Sequence, residues 1–483
     1  MITVTDSLQS DEVSFGARSG SLRPVWVSLT ASSGLCASTL MLSATTKRAT
    51  RRAGPHDFWE HRDGLMENDW IIRGGTVLDP GSGLDSPADV AVRNGEIVEI
   101  GPDLPAHEAA PTIDATGLLV LPGLIDLHTH VFRGATFWGI DPDPVAVRSG
   151  VTTWVDAGSA GAIGLSGLRE FVAERARVRV LAFVHISAIG LVSVDYESER
   201  LEHCDVAVCC RAVERNRDFV VGVKVRMGSP TVGANGCEPL RLARQAADTF
   251  GLPVMVHVGI GPPDLTEVLA ELRPGDIVTH CCTGQSMSLV GRENRVSDAA
   301  RRARDQGVIF DVGHGAGSFS FRTAELMLAE GFAPDVISSD IHHLSRYGNG
   351  LSEANDGLTY YVRRESRDAL DLPSCMTKLL HLGMPLADVV SAVTERPARV
   401  LGRYPEIGAL RVGGAADLCL LRLEEGQFDS FDTHGECRRA TRAFRAAVTL
   451  RNGRVLAEDP TSFEEVPPWV QFWQPRPGGK SSP

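Results

Sequence analysis

The sequence predicts an α/β fold: a (β/α)8 TIM barrel carrying a small β-sandwich domain formed from both flanks of the barrel. Three observations predict it. Eight apolar, β-like runs recur between residues 118 and 339, with helical patterns between them. Short strands with tight-turn signals fill residues 67–117 and return over 403–460. Histidine, lysine and aspartate stand at or near the ends of five of the runs. In a barrel of this kind, reactive side chains gather at the C-terminal ends of the strands.

The runs are Leu118 to Leu127, Thr152 to Asp156, Val178 to Ile186, Val220 to Val225, Pro253 to Val258, Asp276 to His280, Val308 to Val312, and Asp335 to Ser339. Their near-continuous apolar character fits strands buried on both faces. Connections such as Leu168 to Ala176, Leu240 to Phe250 and Ala299 to Arg304 have amphipathic helical spacing. The barrel is thus expected over residues 118–402. A doubly wound open sheet is the alternative. No glycine-rich dinucleotide fingerprint follows the first run to support it.

In the flanks, Trp70-Ile71-Ile72-Arg73 precedes turn signals at Gly74-Gly75 and Asp79-Pro80-Gly81. Ala88 to Val92 and Ile97 to Ile100 flank Asn94-Gly95, a strong hairpin signal. Beyond residue 403, Asp417 to Leu421 follows Gly413-Gly414, and Ala446 to Leu450 leads into Asn452-Gly453. The two flanks are expected to pair into one small domain.

Composition bounds the function. Net charge is -13 in 483 residues, so no broad basic surface recommends nucleic acid or an anionic membrane as partner. No apolar run approaches the ~20 residues of a membrane span. The 10 cysteines include the adjacent pairs Cys209-Cys210 and Cys281-Cys282, which suits a reducing, cytoplasmic setting better than a disulfide scaffold. Residues 1–65 are rich in Ser, Thr, Ala and Arg and show no sustained period. They read as a disordered extension, or as translation upstream of a natural start at Met66, with a transit-like segment as the alternative. The partner expected is a small-molecule substrate, with homo-oligomers allowed.

The chemistry-bearing residues come in a definite order. His128 and His130 close the first run, spaced i, i+2. On a strand that spacing aims both imidazoles from one face, as two ligands to one metal ion require. Lys224 lies at the end of the fourth run, His257 ends the fifth, His280 the sixth, and Asp340 follows the eighth. Any one alone would read as a satisfied buried polar group. Together at one barrel mouth they point to metal.

This ordered set, with the flanking β-segments and Thr394-Glu395-Arg396-Pro397-Ala398, resembles the amidohydrolase superfamily over roughly residues 67–455. The resemblance implies a metal-dependent hydrolase with two divalent ions, zinc being the usual metal. It implies that His128, His130 and Asp340 hold one ion and that His257 and His280 hold the other. Lys224 would bridge them as a carbamate formed from CO2. It further implies attack of metal-activated hydroxide on an amide or ester, with Asp340 as the catalytic proton carrier.

Gly222-Val223-Lys224-Val225-Arg226 and Asp311-Val312-Gly313-His314-Gly315 look like the deacetylase-like (dihydroorotase-like) branch. That likeness implies deacylation of an N-acyl amino acid or O-acyl hydroxy acid. Arg226 and His314 are the candidate substrate-binding residues. Cyclic amide ring opening, as in dihydroorotases and hydantoinases, is the alternative. Dihydroorotases usually carry arginine two residues after the second histidine, where this chain has Phe132. A non-catalytic scaffold of the same fold is the remaining class; retention of all six ligand positions speaks against it. His185, His342 and His343 also lie near strand ends and are expected to pack or to support ligands.

Overall fold

The computed structural model describes residues 69–105, 111–347 and 370–458. The segment 1–65, expected to be an extension, lies outside the described residues. The central sheet has seven parallel strands, each hydrogen-bonded to the next in chain order. They are Leu124–Thr129, Val151–Gly161, Arg179–His185, Val220–Arg226, Val254–His257, Ile277–Thr279 and Ile309–Asp311. Parallel neighbours require a crossover each, and helices supply them.

The helices form where the sequence places a cap before an amphipathic run. Asp205 caps Val206–Arg215, Ser297 caps Asp298–Asp305, Ser320 caps Phe321–Ala329, and Asp371 caps Leu372–His381. In Glu238–Asp248 the buried face is Pro239, Leu240, Ala243, Arg244, Ala246 and Ala247. That is the i, i+3, i+4 stripe of a helix lying on a sheet. Inside the barrel, Leu127, Val155, Leu181, Phe183, Val221, Met255, Ile277 and Val336 cluster, so each of the first six strands and the closing segment contributes.

Two expectations are corrected. Asp335 to Ser339 does not form a regular eighth strand. The segment closes the barrel through single parallel bridges, Val336 to Asp311 on one side and Ile341 to Thr129 on the other. The ladder cannot run on because Ser339 bonds to the Asp126 carboxylate, and Asp340 follows with φ of 46°. Secondly, Leu118 to Leu127 is not one strand. It divides at Gly123 into Leu119–Pro122, which joins the small domain, and Leu124–Thr129 in the barrel. A Cβ on Gly123 would stand 2.2 Å from the Thr152 hydroxyl, so only glycine lets the chain pass there.

The small domain is two sheets. One is four-stranded: Glu96–Gly101, Asp89–Arg93, Trp70–Arg73 and Thr112–Asp114. Asn94-Gly95 turns its hairpin with φ of 51° and 80°, as the sequence predicts. The other is six-stranded and draws on both flanks: Arg454–Val455, Cys437–Arg451, Leu418–Phe431, Leu119–Pro122, Thr76–Asp79 and Leu84–Pro87. Ile72, Val90 and Ile97 of the first sheet pack with Val77, Val120, Leu418 and Leu420 of the second. Among the described residues, no helix is long and apolar enough to cross a membrane, and nine cysteines are free thiols.

Asp417 joins the two architectures. Its carboxylate pairs with Arg179 of the third barrel strand and Arg451 of the sandwich, each at 3.0 Å. Burial works against its ionisation, yet the two guanidiniums win and hold its carboxyl below the ordinary range. A depressed folded pKa contributes stability above the unfolded value, near 3.9, and loses it as pH falls through the folded value. Asp417→Asn should cost about 3–5 kcal/mol, the range for breaking a buried pair. Chemical denaturation at pH 7 measures this. Wild type should approach the variant as the buffer is taken below pH 4; an equal gap at pH 7 and pH 2.5 would contradict the ion-pair origin.

Candidate metal centre and active site

Every ligand-type residue singled out in the sequence lies at the C-terminal edge of the central sheet. His128 ends the first strand and His130 follows it; Lys224 and Arg226 end the fourth; His257 ends the fifth; His280 directly follows the sixth. Asp340 lies on the closing segment. His280 and Asp340 both have positive φ, 73° and 46°. Such backbone persists in non-glycine residues where surrounding contacts fix it, and it concentrates at functional sites.

The six converge. Asp340 Oδ1 lies 3.2 Å from His128 Nε2 and 3.1 Å from His130 Nε2. Lys224 Nζ is 3.3 Å from His128 Nε2. His280 Nε2 faces His257 Nδ1 at 2.7 Å, and the His128 and His280 rings are 5.2 Å apart. A Cβ on Gly158 would come within 2.6 Å of Lys224 Cβ, so the second strand leaves room for the lysine only as glycine.

The tautomers follow from the partners. Thr279 spends its one hydroxyl proton on Asp311 Oδ2 at 2.7 Å, so it must accept from His128 Nδ1, also at 2.7 Å. His280 Nδ1 meets the carbonyl of Gly313 at 2.6 Å and must donate. Both rings therefore turn an Nε2 lone pair to the centre. Ser159 holds His130 Nδ1 at 2.8 Å. These tethers are the supports that metal-ligating histidines need.

Electrostatics point the same way. Burial pushes His130 down to about 3 and His280 to about 4, and it drives His128 and His257 well below the ordinary value. The imidazoles are thus neutral, with lone pairs to give. Burial also pushes Lys224 down to about 7. It raises four carboxyls around the cluster: Asp126 to about 7, Asp311 to about 6, and Asp156 and Asp340 above their usual range. Buried carboxylates beside neutral imidazoles call for cations among them. His128, His130 and Asp340 alone offer three donor atoms within 4.8 Å of one another. The donor set therefore fits a divalent metal of the zinc type, which takes imidazole nitrogen and carboxylate oxygen.

Arg226 and His314 are placed differently. Arg226 Nε and Nη2 grip the Glu197 carboxylate at 2.7 and 2.8 Å, with the guanidinium near Trp138. It is a buried ion-paired arginine beside the donors. His314 Nε2 lies 2.6 Å from Lys378 Nζ, and its ring stacks on Phe319. Its neighbour Gly315 runs so close to Asp340 that a Cβ there would lie 2.4 Å from Oδ2. His185, His342 and His343 pack as expected: His185 Nδ1 accepts from Ser187 N, His342 meets the Trp138 ring and His343 the Phe137 ring.

Sequence reasoning missed Asp126, Asp156, Ser159, Thr279, Asp311 and Glu197. Asp126 and Thr279 stand next to the ligands inside the apolar runs, and a polar residue amid such a run was the available signal.

Comparison with known proteins agrees with this geometry. The model of the amidohydrolase family matches residues 119–456. A deacetylase of Agrobacterium fabrum is 34% identical over 366 residues, 75% of this chain and 85% of its own length. A solved structure described as an adenine deaminase is 30% identical, with a TM-score of 0.71, covering 80% of this chain and 99% of that one. One described as a dihydroorotase is 31% identical, also with a TM-score of 0.71, over 80% and 97%.

Thr279→Val keeps the shape of the strand and removes the acceptor that fixes His128. Metal affinity should fall about 10–100-fold, the scale for loss of a ligand's support. Competition against a chromogenic chelator reads it directly. Unchanged affinity would mean that Thr279 fills space only.

Proposed function

The chain belongs to the amidohydrolase family and is a hydrolase; we propose that it removes an acyl group from an N-acyl amino acid or O-acyl hydroxy acid at a two-metal centre. The observation that carries this reading is the full six-residue donor set in a chain similar along most of its length to deacetylases.

His128, His130 and Asp340 would hold one ion, and His257 and His280 the other. Lys224 would sit between as a carbamate, which supplies two oxygens where an ammonium has no lone pair. Its lowered pKa supports this, since only the unprotonated amine adds CO2. When bound, divalent ions such as zinc supply Lewis acidity, lowering the pKa of a water and polarising the acyl carbonyl.

The protein's own groups do the rest. Asp340 accepts the proton of the attacking water and returns it to the leaving nitrogen or oxygen. Its raised pKa suits that exchange. His314 and the adjacent Lys378 would contact the substrate's anionic end. Arg226, aligned by Glu197, lines the other side; with its charge matched by Glu197 it orients more than it attracts.

Cyclic amide opening is the second reading, favoured by the likeness to a solved dihydroorotase. The position two residues beyond His130 weighs against it. Phe132 is buried in the core, and its ring lies against Gly164 and Gly167. No cation stands at that place; the next residue, Arg133, pairs at the surface with Asp141.

Three experiments test the proposal. Purified protein should carry about two divalent ions per chain by elemental analysis and hydrolyse a member of a panel of N-acyl amino acids, O-acyl hydroxy acids and cyclic imides. Full activity without metal would refute it; turnover of imides alone would favour ring opening. Lys224→Ala should lose metal and activity, and added short carboxylates should restore part of both. A Lys224→Ala protein with two ions and normal turnover removes the bridge. Asp340→Asn should keep most of its metal yet lose ~10²–10⁴-fold in kcat, because the amide coordinates but takes no proton. Near-normal turnover would move proton transfer to another group.

A further inference from the structure

The hairpin Leu418–Phe431 and Cys437–Arg451 is far longer than the sandwich requires. Only Leu418 to Leu421 pair with the neighbouring strand Leu119–Pro122. From Arg422 onward the two strands pair with each other alone, out to Phe431 opposite Cys437. This arm runs over the barrel. Phe444 N donates to Thr377 Oγ1 on the helix Leu372–His381, and Arg438 pairs with Glu325 on the helix Phe321–Ala329. Its tip reaches the loop that follows the seventh barrel strand.

The contacts at the tip are specific. Thr433 N donates to Phe319 O at 3.0 Å. Its hydroxyl accepts from Phe319 N at 3.1 Å and donates to Phe319 O at 2.8 Å. Asp432 accepts from Phe321 N at the start of the following helix, and from His434 N and Glu436 N within its own turn. Phe319 is fully buried and stacks on His314 with centroids 4.7 Å apart and planes 16° from parallel. Lys378, against His314 Nε2, also lies over the Phe319 ring. His314 N and Gly315 N then donate to the Ser338 and Ser339 carbonyls of the closing segment, and Gly315 passes beside the Asp340 carboxylate.

We infer that the arm's tip is part of the active-site frame: Thr433 is a positioning residue that, through Phe319, fixes the His314 ring, whose neighbour Gly315 passes beside Asp340. The inference rests on the substrate contact given to His314 above. The reasons are physical. The His314 Nδ1 bond to Gly315 O at 2.8 Å fixes one edge of the ring, and the plane of the ring is then set by what stacks on its face. Stacking fixes a ring only if the partner ring is itself held. Phe319 is held by three hydrogen bonds from a residue distant in sequence.

The test compares Thr433→Val and Thr433→Ser. Valine keeps the size and loses both hydroxyl bonds; serine keeps the hydroxyl. Hydrogen exchange of the peptide spanning 313–321 should rise roughly tenfold in the valine variant and return toward wild type in the serine variant. Metal content should stay unchanged. On whichever panel substrate wild type cleaves, the valine variant should lose about 3–10-fold in kcat/KM. Combined with His314→Ala it should be no worse than His314→Ala alone, because both act through one ring. Wild-type exchange in the 313–321 peptide of the valine variant would overturn the inference, as would losses that add fully in the double variant. If wild type cleaves nothing, the assigned reaction fails, while the exchange measurement still decides whether the tip holds the loop.

Discussion

Asp126 ties the first barrel strand to the segment that closes the barrel, and the site depends on that tie. Its carboxylate accepts from Ser339 N and from the Ser339 hydroxyl, while Asp340 N donates to His128 O and His130 N to Ile341 O. These bonds cross the seam exactly where no regular ladder forms. They place Asp340 in a left-handed conformation that aspartate adopts at a cost of order 1 kcal/mol or more. The cost is met because the alternative is worse. Released from Ser339, Asp126 would be a fully buried carboxylate with only the His128 amide at 3.5 Å left to it. The polar seam thus fixes both the closure of the fold and the direction of its last ligand.

The same logic extends around the mouth. Asp311 takes hydroxyl bonds from Thr279 and Ser338, and Asp156 takes amide bonds from Val131 and Ser159. Each buried carboxylate therefore supports a ligand or the backbone beside one. Negative charge is spread beneath the histidines rather than concentrated at one point. That arrangement is poor for an empty polar pocket and good for one that holds cations, whose charge draws the carboxyl pKa values back down. The supporting residues and the ligands form one electrostatic unit.

The sequence disclosed the candidate ligands because strand geometry makes them visible. An apolar run ending in His-x-His, or in a single histidine, lysine or aspartate, has only one way to present that residue in a parallel barrel. It disclosed the two hairpins because Asn-Gly has few other uses between apolar runs. It hid features that depend on contacts between distant residues. Arg226 was legible as a cation at the mouth, but Glu197, 29 residues earlier, lies in a loop with no period to announce it. Gly123 looked like part of an apolar run, since nothing local reveals the Thr152 side chain packed against it. The outer arm, with charges such as Glu424, Glu425, Asp429 and Arg438 between its apolar residues, lacks the clean alternation of a half-buried strand.

Under the proposed deacylation, the arm and the phenylalanine at position 132 bear on where specificity would reside. Apolar packing fills one side of the mouth: Phe132 lies in the core, and Trp138 stands against Arg226 and His342. Basic groups gather elsewhere, at His314 and Lys378, next to the loop that the sandwich braces. On the proposed reading, that placement of basic groups sets the direction from which an anionic substrate approaches, and therefore which of its bonds meets Asp340. On the same reading the second domain helps to set that direction, because the His314 ring is held through Phe319 from the sandwich side.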